Sequence, residues 1–219
     1  MKFGCLLLLA LPVSAETLHY VINWPSGISL GEATLEVGKT EHETWNLGFD
    51  LDASVPGFAI RDKYQSKAAG SGLCSVELTR TVQRGSRKSE ETDTFDQESH
   101  SVTRQTKAPG GKSGFSIQDC ARDALSFLQY TRSEWASGRL VPQQRVVLGG
   151  TYDVRLELSG EETVQSNGKP VQADRIQAAI KGPASEFTLQ VLFAKDAART
   201  PVLVRIPLSL GTFTAELTH

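Results

Sequence analysis

The sequence is poor in cysteine and histidine, and neither sign of charge predominates. Its 219 residues include three cysteines and four histidines, and the formal net charge is −2. Charges of both signs are mixed along the chain, which argues against a nucleic-acid surface. The histidines show no H-x-x-x-H or H-E-x-x-H spacing and no G-x-S-x-G elbow occurs, which disfavours a zinc site and a hydrolase of that fold. We therefore expect no metal and no cofactor.

The sequence also has no long apolar run. Its longest apolar stretch is short and lies at the N-terminus. The basic start Met1-Lys2 precedes the apolar run Cys5–Leu11, and Val13-Ser14-Ala15 has the small-x-small form of a signal-peptidase site. A membrane-spanning helix needs about twenty apolar residues, so this run is too short to span. Residues 1–15 are therefore interpreted as a signal peptide, which predicts an exported protein, periplasmic or extracellular, that does not span the membrane.

Removal of the signal peptide leaves two cysteines, Cys74 and Cys120. An even pair in an exported domain most often forms a disulfide. A reactive Cys120 is the alternative, because a thiolate at a helix N-terminus is stabilised, but no histidine stands in a recognisable protease context around it. A bridge would close a loop of 120 − 74 = 46 residues and stabilise the fold by about 4 kcal/mol in the chain-entropy model.

Period-two alternation of apolar and polar residues dominates the chain after residue 15 and predicts antiparallel strands with one wet face. It is clearest in HETWNLGFDLD, TYDVRLELS and GTFTAELT. Asn167-Gly168 predicts a hairpin turn, and the charge run 84–96 predicts an exposed hairpin with cross-strand ion pairs. Further strands are expected near 17–23, 30–38, 73–83, 87–95, 99–106, 171–181, 186–194 and 202–209.

One segment, residues 119–132, is predicted to be a helix. Asp119 is expected to cap it, with Asp123 in the first turn, where the helix dipole favours a carboxylate. Its apolar face is predicted to carry Ala121, Ala124, Leu125 and Leu128, with Phe127 on its flank. The preceding KAPGGKSG (107–114) is expected to be a flexible polar link. The fold class is therefore mainly β: one domain, residues 16–219, with a curved antiparallel sheet or half-barrel covering one main helix.

The C-terminal segment KDAARTPV also has a predicted local structure. Asp196 is expected to turn the chain and to pair with Arg199, and Pro201 is expected to begin the next strand. Together with YVINWPSGISLGEATLEV and DALSFLQYTR, the segment KDAARTPVLVRIPLSLGTFTAEL resembles the domain-of-unknown-function family DUF3108 over residues 17–218. The resemblance implies an exported bacterial protein without an agreed activity, and its motif residues here are Asp123, Arg132, Asp196, Arg199, Pro201 and Gly211.

Three functions remain open from the sequence. The first is a non-catalytic binding or carrier module, in which the concave face of the sheet holds a lipid or another hydrophobic ligand. Its candidate lining residues are Trp45, Phe49, Leu51 and Phe213, whose alternative role is to pack under the helix. The second is a structural module that binds an envelope protein through strand edges or hairpins. The third is an envelope hydrolase, for which no catalytic set can be named, so we expect no enzyme.

Overall fold

A computed structural model describes residues 15–40, 43–55, 57–107, 110–183 and 185–219. The predicted signal peptide lies outside the described residues except for Ala15, which begins the first strand. The strands are β1 Ala15–Asn23, β2 Ser29–Lys39, β3 Thr44–Val55, β4 Phe58–Ala69, β5 Cys74–Arg84, β6 Arg87–Asp96, β7 Ser101–Thr106, β8 Lys112–Ser116, β9 Arg122–Asp123, β10 Gln144–Val147, β11 Thr151–Ser166, β12 Lys169–Lys181, β13 Glu186–Ala194, β14 Pro201–Leu208 and β15 Gly211–Leu217, and the helix is α1 Ala124–Ala136.

The strands form one curled sheet in the order β8-β7-β6-β5-β4-β3-β2-β1-β15-β14-β13-β12-β11-β10-β9. Most neighbours are consecutive antiparallel strands, β1 pairs with β15, and only the short β9 runs parallel to its neighbour β10. The predicted class, mainly β with an antiparallel sheet and one main helix, is confirmed. The predicted Asn167-Gly168 hairpin is also confirmed, since both residues have the positive φ that a type I′ turn needs.

The hairpin turns lie at two ends of the sheet. The turns β1–β2, β3–β4, β5–β6, β12–β13 and β14–β15 share one end, as the pairs Asn23↔Thr214 and Gly31↔Ala53 show. We call this the open end. The helix α1 lies across the other end, which we call the closed end, because the Arg132 side chain reaches both Glu16 at the start of β1 and the Ala198 carbonyl in the β13–β14 turn.

The helix begins later than the sequence predicted. Residues 119–132 were expected to be helical, but α1 spans Ala124–Ala136 and its N-cap is Asp123. Cys120 has a positive φ, and Arg122 with Asp123 forms the short strand β9 beside β10. The expected cap, Asp119, is an exposed residue 2.6 Å from His100. The helix starts at Ala124 because the Asp123 carboxylate accepts from the free amides of its first turn.

Four strands were missed by the sequence pattern: β4, β8, β9 and β10. In β4 the inward-facing positions include Asp62 and Ser66, both buried, so the apolar alternation that marks a strand is broken. The predicted link 107–114 is wrong in its second half, because Lys112–Ser116 pairs with β7. The strands β9 and β10 have only two and four residues, too few for a period to show.

The helix buries its apolar side chains against both halves of the sheet. Phe127, expected on the flank of the apolar face, is the most buried apolar side chain of α1 and packs with Ile176 and Phe193. Leu125 and Leu128 pack against the cluster of Leu18, Tyr20, Ala33 and Leu35 on β1 and β2. The helix therefore holds the two sides of the curled sheet apart at the closed end.

Candidate functional site

An internal cavity of about 520 Å³ lies between the inner face of the sheet and α1. Alternate residues of consecutive strands face it, as the pleat requires. The register shows this directly, because Ile176, Val191, Val204, Ala215 and Ile22 are successive partners across five neighbouring strands. All five line the cavity, so its wall is a continuous surface of hydrocarbon side chains.

The cavity opens toward the open end of the sheet. Along β13, Phe193 is buried, Leu189 and Val191 are half-buried, and Phe187 is exposed, although all four line the cavity. The same gradient runs along β12, where Ile176 is buried and Ile180 is half-buried. The helix residues Phe127 and Leu128 line the opposite end. The cavity therefore has a floor at α1 and a mouth among the turns of the open end.

Several polar side chains of the cavity wall form ion pairs or hydrogen bonds within the protein. Asp62 accepts a bidentate ion pair from Arg84, and the Tyr20 hydroxyl donates to the Pro201 carbonyl oxygen at 2.8 Å. Burial raises the pKa of Tyr64 above its usual value, with the neighbouring Asp62 charge acting in the same direction. Neither tyrosine is therefore an available base near neutral pH, and the wall recognises a ligand chiefly through apolar contact.

A buried polar cluster anchors the start of the helix to the sheet. The Asp123 carboxylate is fully buried and accepts from Ser66 Oγ and Ser75 Oγ, each at 2.6 Å. Its other oxygen accepts from the backbone amides of Leu125 and Ser126 at 2.8 and 3.1 Å. A buried carboxylate with four donors is well compensated. The family-motif residue Asp123 therefore fixes α1 on β4 and β5, rather than only favouring the helix dipole.

The disulfide between Cys74 and Cys120 is present, as predicted. It joins the first residue of β5 to the residue two positions before β9, directly beside the Asp123 cluster. Arg122 reinforces the same junction, because its Nε donates to the Gly72 carbonyl oxygen at 2.7 Å and its guanidinium stacks on Tyr130 at 3.7 Å. The bridge therefore secures the entry to the helix.

The other end of α1 is anchored by charged side chains. Arg132 is buried and forms a bidentate ion pair with Glu16, at 2.7 and 2.9 Å. Near it, Asp174 accepts from Trp135 Nε1 at 3.0 Å and from Arg199 Nη1 at 2.9 Å. Together these bonds connect the helix to β1, to β12 and to the β13–β14 turn.

The predicted side-chain pair of Asp196 with Arg199 is therefore wrong. Asp196 closes its own turn by accepting from the Thr200 amide and hydroxyl, at 3.0 and 2.7 Å. Arg199 points instead to Asp174, because the turn directs it inward over Trp135. Pro201 begins β14 as predicted. Of the six family-motif residues, five thus hold the closed end together, and Gly211 lies at the open end in the β14–β15 turn.

Of the four predicted lining residues, only Phe49 lies on the cavity wall. Leu51 packs against the cluster around Leu18 instead. Trp45 lies near the closed end of β3, where Lys39 Nζ is 5.1 Å from the centroid of its ring. Phe213 lies at the mouth, edge-on to Trp24 with ring centroids 4.8 Å apart.

The lining residues that the sequence analysis missed are mostly on β11, β12 and β13. The alternating residues Val154 and Leu156, and then Ile176, Ala178 and Ile180, form much of the wall. The alternation that predicted these strands could also have identified these residues, because the apolar positions of neighbouring strands share the inner face of the sheet. Nothing in the pattern alone showed that the face was incompletely filled.

Two features are absent from the described ranges. No group of three or more His, Cys, Asp or Glu side chains there is placed to hold a metal ion. No helix within those ranges is long and apolar enough to cross a membrane.

These observations define a curled antiparallel sheet, closed at one end by a disulfide-anchored helix, around an apolar cavity. The chain belongs to the family DUF3108, described as a protein of unknown function, whose model matches residues 17–218. The suspected family is thus confirmed. No curated protein is significantly similar to the chain in sequence.

The solved structures that match this chain include a DUF1849 protein and a bacterial lipoprotein. A β-barrel-like protein of the family of unknown function DUF1849 from Brucella abortus has a TM-score of 0.63 at 8% identity, covering 94% of this chain and 96% of that one. It shows a shared fold. The lipoprotein LppX from Mycobacterium tuberculosis has a TM-score of 0.30 at 13% identity, covering 92% and 84% of the two chains, which is too low to establish a shared fold.

Proposed function

We propose that this protein is an exported, non-catalytic binding or carrier module for a hydrophobic ligand such as a lipid. The observation that carries the proposal is the apolar cavity between the sheet and α1. Its volume of about 520 Å³ lies within the range of about 300–1,000 Å³ that is usual for ligand pockets. The cavity has a mouth, so a ligand can enter without unfolding the sheet.

The cavity is too large to be a packing defect. Protein interiors are close-packed, with few voids larger than a water molecule. A space of about 520 Å³ is far larger than such a void. A ligand that fills it gives the apolar lining the dispersion contacts that an unfilled space lacks, which supports the binding hypothesis.

The chemistry of the wall indicates the class of ligand. The polar groups Asp62 and Tyr20 are bonded to Arg84 and Pro201, which leaves the buried hydroxyl of Thr131 as a lining group without a partner among the described residues. The ligand therefore gains little from specific polar contacts. Each methylene transferred from water into the cavity contributes about 0.8 kcal/mol. An acyl chain or another extended hydrocarbon therefore fits the wall better than a sugar, nucleotide or peptide does.

Two features support an exported location. The N-terminal segment has the pattern of a signal peptide. Independently, the Cys74–Cys120 bridge is typical of proteins that fold in an oxidising compartment.

The test is a titration with cis-parinaric acid, a polyene fatty acid whose fluorescence rises in an apolar site. We expect saturable binding that palmitate displaces and that Leu189→Arg abolishes, because this residue lines the wall near the mouth. Leu158→Arg is the matched control, since Leu158 is an exposed leucine on β11 outside the cavity. If fluorescence does not rise with the wild-type protein, or if both variants bind alike, the proposed function is wrong.

A further inference from the structure

Large apolar side chains are concentrated at the open end of the sheet. Seven large hydrophobic residues are exposed in the part of the chain that the structure describes. Five of them lie in or beside the turns of the open end, and the other two, Val76 and Leu158, lie elsewhere. The five are Ile28 (66% exposed), Phe58 (42%), Phe187 (38%), Leu208 (52%) and Leu210 (69%). We call them the apolar tips.

The apolar tips are supported by contacts between adjacent turns. A side-chain Cβ at Gly211 would lie 2.7 Å from Pro25, so the β14–β15 turn abuts the β1–β2 turn. Trp24 and Phe213 pack edge-to-face just below them. Phe58 in the β3–β4 turn lies against the β5–β6 turn at Gly85. The tips therefore lie on four successive turns beside the mouth of the cavity.

The turns of the closed end have a different chemistry. The β6–β7 turn is Gln97–His100, the β11–β12 turn is Asn167-Gly168, and the β13–β14 turn is 195–200, with Lys195, Asp196 and Arg199. In contrast, the open-end segments Trp24–Ile28 and Leu208–Gly211 contain no charged residue. Loops in water are normally polar, so the apolar tips mark a surface that contacts something other than water.

The charges at the open end identify the kind of surface. Arg87 and Lys181 are exposed there and form no ion pair with any residue that the structure describes. Glu186 is the single acidic residue in the described parts of the open-end turns. Exposed basic residues beside anionic lipid head groups contribute about 1 kcal/mol each. Apolar protrusions with basic residues and an adjacent tryptophan match the membrane interface.

We propose that the apolar tips dock the protein on an anionic lipid bilayer, so that a hydrophobic ligand passes between the bilayer and the cavity mouth. This inference rests on the proposed function for the identity of the ligand. Separate turns with one or two apolar residues each insert among lipid head groups, whereas a protein partner requires a continuous complementary surface. The bilayer also holds the class of ligand that the cavity wall favours, directly at the mouth.

The first experiment is flotation with vesicles of phosphatidylcholine containing phosphatidylglycerol as the minority lipid. The test variant is Leu208→Ser with Leu210→Ser, and the matched control is Val76→Ser with Leu158→Ser, which removes two exposed apolar residues elsewhere. We expect the test variant to reduce the ratio of bound to free protein about tenfold or more, since two leucines lose their transfer into the interface. The control should change the ratio less than twofold.

The second experiment measures the transfer of cis-parinaric acid from the same vesicles to the protein. We expect the Leu208/Leu210 variant to acquire the probe more slowly, with an unchanged affinity for the free probe, because neither residue lines the cavity. If the wild-type protein binds free probe but does not float, the docking surface is wrong and the proposed function stands. If the wild-type protein floats but does not bind the free probe, the proposed function is wrong and the docking surface stands.

Two other outcomes also overturn the docking surface. The first is equal flotation of the wild-type protein and the Leu208/Leu210 variant, which would assign the binding to charge alone. The second is concentration-dependent dimerisation that the same variant abolishes, without flotation of the wild-type protein, because a second copy would then cover the tips.

Discussion

Filling the cavity with a larger side chain should leave the protein folded while it prevents ligand binding. Ala178 on β12 is buried, lines the cavity and pairs in register with Leu156 and Leu189. Ala173 lies on the same strand and is also buried, but it packs in the cluster that contains Leu192 and lines no cavity. The two alanines therefore provide a matched pair of sites for Ala→Phe substitutions.

The structure predicts opposite effects on stability for the two substitutions. At Ala173 the ring has no free space, and overpacking of this kind costs about 1–3 kcal/mol. At Ala178 the ring enters the cavity and gains part of the burial free energy of a phenylalanine, up to about 1.5–3 kcal/mol. We therefore expect the free energies of unfolding of the two variants to differ by about 2 kcal/mol or more, with Ala178→Phe the more stable.

Urea unfolding measures this difference, and titration with cis-parinaric acid measures binding to the same samples. Ala178→Phe should bind the probe at least about tenfold more weakly, because loss of two methylene-sized contacts costs about 1.6 kcal/mol. Ala173→Phe should bind it normally while folded. The reasoning is refuted if Ala178→Phe destabilises the protein as much as Ala173→Phe does, since the space beside Ala178 would then be filled.

Three further predictions concern the anchors of the helix and the wall. Replacing both Cys74 and Cys120 by serine should lower the free energy of unfolding in urea by about 4 kcal/mol, because the bridge closes a loop of 46 residues; an unchanged midpoint would contradict this. Asp123→Ala should cost about 4 kcal/mol or more in the same assay, since four buried donors lose their acceptor at about 1–3 kcal/mol each; a loss below about 1 kcal/mol would show that they find other partners. Burial raises the folded-state pKa of Tyr64 above 10.0, so its contribution to stability is present below pH 10 and is lost as pH rises through the folded pKa. Alkaline titration followed by tyrosine absorbance should show one fewer late-ionising group in Tyr64→Phe.

The strands could be predicted wherever one face is apolar and the other polar. This condition holds for β3, where Leu47 and Phe49 alternate with Asn46 and Gly48, and for most of the sheet. It fails in β4, because Asp62 faces inward to Arg84 and Ser66 faces inward to Asp123. Both are buried polar residues with long-range partners, and such partners cannot be read from local periodicity.

The helix illustrates the same limit. Two aspartates, Asp119 and Asp123, precede the apolar residues of α1, and either has the chemistry of an N-cap. Asp123 is the N-cap because Ser66 and Ser75, on strands distant in sequence, donate hydrogen bonds to its second carboxylate oxygen. The disulfide was predictable because it needed only the count of cysteines and the compartment. The cavity was predictable only as a possibility, since the register of β11 to β13 against α1 decides how much space remains.

The two ends of the sheet divide the family motif by role. The motif residues Asp123, Arg132, Asp196, Arg199 and Pro201 maintain the closed end, and their contacts are structural. The open end retains only Gly211 from this set, whose φ of 121° and close contact with Pro25 favour glycine. In this chain, the contacts of these five residues keep the helix in place under the cavity.

Native mass spectrometry of the protein, isolated without detergent from cells that produce it, tests the central claim most directly. Binding of a hydrophobic ligand in the cavity predicts a population whose mass exceeds that of the chain by a lipid-sized molecule, which dissociates on activation and is absent from Leu189→Arg. Only the bare mass of the chain, in the wild-type protein and in the variant alike, would contradict it.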